Sequence, residues 1–128
     1  MDESRYEIGM QVRREVLGAE YVAQSQAQQT DLDAEFQRVV AEFAWGTVWA
    51  RADLDRRTRS LITIAILAAL GRDRELALHL RATRNTGVAE HEIAAALLHV
   101  AVYAGVPAAH NAFAVAKTAL APKPEKQP

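Results

Sequence analysis

Residues 61–87 read LITIAILAALGRDRELALHLRATRNTG, and this stretch decides the fold class. Its first ten residues are apolar on every face of a helix, which predicts burial inside the domain or against another subunit. Gly71 ends that helix, and Asp73 is placed to cap a second helix that stops near Gly87. Throughout the chain Ala and Leu are abundant while Gly and Pro are scarce. These features indicate an all-α protein.

The helical pattern continues on both sides of this stretch. Ser4 and Glu7 fit a capping box that begins a helix over about residues 5–17, and Gly18 ends it. Asp55 is placed to cap the helix that contains the apolar run. The other predicted helices cover about residues 20–27, 33–49, 93–104 and 107–120. The chain is therefore predicted to form a single-domain helical bundle of about six to seven helices.

The length of 128 residues suits one domain with its own core and is too short for two ordinary ones. We predict a domain over residues 1–121, in which residues 1–28 form an N-terminal helical extension. Residues 122–128 are rich in Pro and Lys and have no apolar side chain to bury, so they are predicted to be disordered.

Composition and charge exclude several classes of function. The 15 basic and 16 acidic residues leave a net charge of -1, so no nucleic-acid partner is expected. The absence of cysteine excludes disulfides, thiolate nucleophiles and CxxC redox pairs. No histidine lies at a metal-site spacing such as HExxH, so no metal is expected. No apolar run approaches the roughly 18 residues of a membrane span, and we expect a soluble, cytoplasmic protein with no membrane partner.

Glu75 and His79 form the first candidate site. They lie one helical turn apart, and His79 shares a stripe with Leu76, Leu80 and Thr83 on the core side of the helix. A half-buried histidine beside a carboxylate can be tuned near neutrality and act as a general acid or base. The alternative is an ordinary i, i+4 pair worth about 0.2 to 0.5 kcal/mol.

Four arginines crowd the segment WARADLDRRTRS, just before the apolar helix: Arg51, Arg56, Arg57 and Arg59. Guanidinium groups bind carboxylates through paired hydrogen bonds, so one or two of them suit a di-acid substrate. The segment could equally be a solvated helix start or a set of ion pairs between subunits.

Aromatic side chains at helical spacing are candidates for a pocket wall. Trp45 and Trp49 lie four residues apart on one face, although core tryptophans commonly have this spacing too. His99 and Tyr103 form a second such pair, which could line a pocket or an interface between subunits.

Three stretches together resemble the carboxymuconolactone decarboxylase family. They are residues 44–87, residues 92–109 (EIAAALLHVAVYAGVPAA) and residues 6–22 (YEIGMQVRREVLGAEYV), which are similar to the family's N-terminal extension. The resemblance implies the alkylhydroperoxidase D-like helical fold. Relatives with peroxidase activity carry two cysteines where this chain has Arg72 and Glu75, so the redox branch does not apply.

The resemblance also implies an activity, which is the loss of carbon dioxide from 4-carboxymuconolactone to give 3-oxoadipate enol-lactone in protocatechuate catabolism, with no cofactor. In this interpretation His79 delivers a proton and Glu75 tunes it, or the two residues have the reverse roles. The implied substrate-binding residues are Arg57, Arg59, Arg81, Trp45, Trp49 and Tyr103. This chain departs from the common family pattern in having Ala52 and Asp53 instead of Pro-Gly, and His110 instead of Asn.

Two other functions are compatible with the same residues. One is a related lyase or isomerase acting on another lactone or keto acid, and the other is a non-catalytic helical oligomer that binds a small molecule. The apolar run of residues 61–70 exceeds what a domain of this size comfortably buries, which favours a homo-oligomer. The family resemblance implies a trimer-based assembly, often a hexamer.

Overall fold

A computed structural model describes residues 4–122. These residues contain no β-strand, so the all-α prediction is confirmed. The α-helices are α1 (Arg5–Leu17), α2 (Ala19–Ala27), α3 (Ala34–Val40), α4 (Arg56–Leu70), α5 (Asp73–Arg81), α6 (Thr83–Thr86), α7 (Glu90–Tyr103) and α8 (Val106–Leu120). A π-helical segment, Ala41–Trp49, follows α3 directly. The predicted disordered tail lies, apart from Pro122, outside the described residues.

The helix count within the described residues slightly exceeds the prediction because one predicted helix is divided. The helix expected from Asp73 to near Gly87 ends at Arg81 and restarts as α6. At this break the Thr83 hydroxyl donates a hydrogen bond to the Leu80 carbonyl oxygen at 2.6 Å. The described chain forms two compact units: residues 4–59 with 84–87 (the first unit), and residues 60–83 with 88–122 (the second unit).

In the first unit α1 packs closely against the π segment. A Cβ atom at Gly9 would overlap the backbone of Ala41, and one at Gly46 would overlap the Arg5 carbonyl oxygen. Glycine is therefore required at both positions for the two backbones to approach this closely. The predicted capping box is present, since Ser4 Oγ accepts from the Glu7 backbone N–H at 3.1 Å and the Glu7 carboxylate accepts from the Ser4 backbone N–H at 3.3 Å.

The π segment was not predicted from the sequence. The expected single helix to about Trp49 ends at the right place, but its second half has the wider π turn. The Thr47 hydroxyl donates to the carbonyl oxygen of Glu42, five residues earlier, at 2.9 Å. This geometry turns Trp45 into the core of the unit and leaves Phe43 on the surface.

In the second unit α4, α5, α7 and α8 enclose a single cluster of buried apolar side chains. Its largest fully buried members are Ile64, Leu76, Leu80 and Leu97. α5 packs against α8, and Asn111 on α8 donates a hydrogen bond to the Asp73 carboxylate at 2.8 Å. The predicted capping role of Asp73 is therefore wrong: Arg72 holds the cap position, and no side-chain hydrogen bond caps α5.

Candidate active site

Helix α5 carries Glu75 and His79 and fixes the orientation of the histidine. Leu76 and Leu80 are fully buried and hold one face of the helix in the core. His79 lies between them in sequence and is half-buried, while Glu75 is exposed at the edge of the same face. The predicted stripe on this helix is confirmed.

The environment of His79 differs from the expected tuning near neutrality. Burial lowers the pKa of His79 from about 6.5 to about 4, and the negative charge of Glu75 opposes this change without overcoming it. Desolvation disfavours the charged form of a histidine, whereas a neighbouring carboxylate favours it. The imidazole is therefore neutral at pH 7 in the free chain.

The arginine segment is organised by Asp53, whose ion pairs were not predicted from the sequence. The Arg51 side chain donates two hydrogen bonds to one Asp53 oxygen, at 3.0 and 2.7 Å. Arg59 donates to the other oxygen at 2.8 Å. The hydrogen bond from Arg51 is the main cause that lowers the pKa of the Asp53 carboxyl. These ion pairs close the loop between Arg51 and Arg59.

The other arginines of the segment have different surroundings. Arg56 forms an ion pair with Glu15 on α1 at 2.9 Å. Arg57 is exposed, and its charge contributes to a lowered pKa of Asp55, whose main cause is the hydrogen bond from the Thr58 backbone N–H. That hydrogen bond, at 2.7 Å, is the predicted cap of α4.

The aromatic candidates lie in two separate pairs. In the first unit the ring centres of Trp45 and Trp49 are 5.1 Å apart; Trp45 is buried and Trp49 is half-buried. In the second unit the rings of His99 and Tyr103 are 4.9 Å apart, and Tyr103 is 79% exposed. A stacked but exposed pair suits an interface at least as well as a pocket wall.

The predicted site residues are therefore distributed over both units. The first unit holds Trp45, Trp49, Arg57 and Arg59, and the second holds Glu75, His79, Arg81 and Tyr103. Arg81, the last residue of α5, is exposed. Within the described part of the chain, no three His, Asp or Glu side chains are grouped as a metal site would require. None of the described helices is long and apolar enough to cross a membrane.

Comparison with known sequences shows that all of these predicted site residues lie in a region that matches one protein family. Residues 34–118 match the carboxymuconolactone decarboxylase family. The chain belongs to this family. The match runs from α3 to α8 and includes every predicted site residue.

Two curated proteins are similar to this chain over most of their length. The 4-carboxymuconolactone decarboxylase of Acinetobacter baylyi is 48% identical over 116 residues, which are 91% of this chain and 87% of that protein. The nitrosuccinic acid decarboxylase npaB of Metarhizium robertsii is 43% identical over 110 residues, 86% of this chain and 77% of that protein. Both relatives are named as decarboxylases of small acids.

Proposed function

We propose that this chain decarboxylates 4-carboxymuconolactone to 3-oxoadipate enol-lactone, in protocatechuate catabolism and without a cofactor. The observation that carries the proposal is the 48% identity to a 4-carboxymuconolactone decarboxylase over 91% of the chain. Family membership supports the same class of reaction.

The substrate itself supplies the electron sink that a decarboxylation needs. The departing carboxylate is attached to a saturated ring carbon next to a carbon–carbon double bond, and that double bond is conjugated to the lactone carbonyl. When the carbon–carbon bond to that carboxylate breaks, the electron pair moves into the ring as a furan-like dienolate, and carbon dioxide leaves. One proton must then be added at the carbon next to the carbonyl. The protein therefore has to bind an acid, stabilise a developing negative charge and deliver one proton.

His79 is our candidate for proton delivery, with Glu75 as its tuning partner. The imidazole is neutral in the free chain, because burial lowers its pKa to about 4. A bound dianion raises the pKa of a neighbouring histidine, so substrate binding would draw a proton from water onto His79. The charge of Glu75 acts in the same direction. We expect kcat/KM to fall about tenfold per pH unit above the pKa of the free enzyme, while kcat stays flat near neutrality. A pH-independent kcat/KM from pH 5 to pH 8 would contradict this role.

The substrate carboxylates need cationic partners, and we propose the exposed guanidinium groups of Arg57 and Arg81 for this role. Arg59 already binds a carboxylate, that of Asp53, and would contribute by exchanging it for the substrate. Trp45 and Trp49 of the first unit, and separately Tyr103 of the second unit, are proposed as apolar substrate contacts.

The direct test supplies enzymatically generated 4-carboxymuconolactone, without metal or nucleotide, and follows formation of the enol-lactone. No acceleration over the spontaneous rate would refute the proposal. A His79→Asn variant with an unchanged circular dichroism spectrum should lose most of its turnover.

Arg57→Ala tests the binding role, and Arg56→Ala is its matched control. Loss of a charge-assisted hydrogen bond to a substrate carboxylate should raise KM about tenfold or more with little change in kcat. Arg56 is paired with Glu15, so its variant should retain the KM of the wild type. Equal KM values for the two variants would show that Arg57 does not bind the substrate.

A second candidate substrate is nitrosuccinic acid, because a relative named for that reaction is 43% identical. Its nitro group can also accept the electron pair that a departing carboxylate leaves behind, so the same residues could serve. Parallel assays with the two substrates discriminate: the higher kcat/KM identifies the preferred one.

We also propose that the chain forms a homo-oligomer that is built from trimers, and a hexamer is one such assembly. In the second unit α4 leaves Ile62, Ile66 and Leu70 exposed in one stripe, with Ile66 52% exposed. In the first unit Phe36 and Phe43 are exposed as well. Contiguous exposed apolar stripes of this kind are typical of subunit interfaces.

Sedimentation velocity tests the proposed assembly. The wild type should sediment as an oligomer, and Ile66→Lys should shift it toward smaller species. Gln24→Lys, at an exposed polar position on α2, should leave the distribution unchanged. A wild-type protein that sediments as a monomer would contradict the proposal.

A further inference from the structure

The first unit contains a cavity that the proposed reaction does not use. Its volume is about 320 Å³, and its lining comes from α1, α3 and the residues in and just after α2. Sites for small metabolites begin at about this size. None of its lining residues is among those proposed above for catalysis or substrate binding.

Arg13, on α1, is the deeply buried charge of this cavity. The residue is only 9% exposed, and it lines the cavity with the surface that remains. Its Nη2 donates to Ser25 Oγ at 3.2 Å. Its Nε is buried, and no acceptor within the described part of the chain lies in hydrogen-bonding distance. Among the described residues no carboxylate forms an ion pair with Arg13.

A guanidinium in this situation favours an anion. Removing a cation from water is costly, and a counter-charge with matching hydrogen-bond geometry offsets that cost. Here neither the protein's own carboxylates nor a full set of hydrogen bonds provides the offset. An incoming anion would therefore be bound more strongly by Arg13 than by an arginine on the surface.

Beside the apolar side chains of Met10 and Ala34 the lining has a polar part, which adds a second, weaker positive charge. Arg38 donates to the Glu42 carboxylate at 2.9 Å and lies 5.6 Å from the centre of the Tyr6 ring, so its charge is partly neutralised. Among the described residues that line the cavity, Glu35 is the acidic one. Three amide side chains, which can donate hydrogen bonds, complete this polar surface: Gln26, Gln29 and Gln37.

We propose that this cavity binds the carboxylate of a small free acid, with Arg13 as the cationic anchor and the amide side chains as further donors. The two oxygens of a carboxylate match the hydrogen-bond donors of the planar guanidinium group. The volume admits a short aliphatic mono- or di-acid. The inference does not depend on the proposed function, because it rests on the first unit alone.

The test uses a methyl group inside the cavity as the reporter. The chain has two methionines, Met1 and Met10, and Met10 lines the cavity. Protein labelled at the methionine methyl carbons would be titrated with adipate at constant ionic strength and pH 7, and the Met10 signal would be followed by NMR. We expect a saturable shift. Adipamide, a neutral molecule of the same length, should produce none.

Variants identify the anchor. Arg13→Gln keeps a donor for Ser25 and should weaken adipate binding at least about tenfold. Arg14→Gln removes the neighbouring exposed arginine of the same helix and should bind as the wild type does. If Arg13→Gln does not fold, Gln26→Glu places a competing carboxylate on the lining from an exposed position, and it should weaken binding in the same sense.

Three results would overturn the inference. An equal shift with adipamide would show that the charge plays no part. Undiminished adipate affinity in Arg13→Gln, or in Gln26→Glu if the first variant is unfolded, would show that Arg13 does not bind the carboxylate. A Met10 signal that responds to protein concentration and not to adipate would mean that a carboxylate of a second copy occupies the cavity.

Discussion

Replacing His79 should change how the stability of the protein depends on pH. In the folded chain burial lowers the pKa of His79 to about 4, whereas an unfolded chain would have the ordinary value near 6.5. Between these two values the unfolded state binds more protons than the folded state, so the free energy of unfolding rises with pH in this window. At about 1.4 kcal/mol per pH unit, this difference in proton binding costs the folded chain roughly 3 kcal/mol of stability, relative to pH 7, as the pH falls from about 6.5 to about 4.

Urea unfolding from pH 4 to pH 7.5, at one protein concentration, measures this contribution. His79→Asn should lose stability less steeply than the wild type as the pH falls. The difference between the two unfolding free energies should change by roughly 3 kcal/mol across the range. Comparing the two proteins cancels the carboxyl groups that titrate in both. His91→Asn, at an exposed position in the first turn of α7, is the control and should run parallel to the wild type. Parallel curves for His79→Asn would refute the burial argument.

Two further outcomes follow from the contacts of α5 and α1. Glu75→Gln removes the charge that favours protonation of His79, so the pKa of His79, followed by NMR of its imidazole, should fall further; an unchanged value would mean that the two side chains do not interact. Gly9→Ala forces a Cβ atom onto the Ala41 backbone and should lower the unfolding free energy by about 1 to 3 kcal/mol in urea. Gln11→Ala, at an exposed position of the same helix, is its control, and equal stability of the two variants would argue against the close helix crossing.

The features that sequence reasoning identified correctly are local ones. The capping box of Ser4 and Glu7 is a reciprocal interaction over three residues, and the cap of Asp55 on Thr58 spans the same distance. Such signals depend on neighbouring residues and survive without knowledge of the tertiary structure. The stripe on α5 is predictable for the same reason, because it depends only on helical period.

The features that were missed depend on residues distant in sequence or on a choice between helix types. Asn111 binds Asp73 across 38 positions, and no pattern in the sequence links them. The π segment differs from an α-helix by one residue per hydrogen bond, which apolar spacing does not resolve. The pKa of His79 was expected near neutrality because a carboxylate at i-4 is visible in sequence, whereas the extent of burial is not.

The low pKa of His79 fits a reaction whose substrate carries its own electron sink. For the proposed reaction the protein has to supply positive charge and one proton. The proton should therefore be available when the proposed di-acid substrate is bound. A buried, neutral imidazole with a carboxylate four residues earlier meets this condition, because the arriving negative charges raise its pKa.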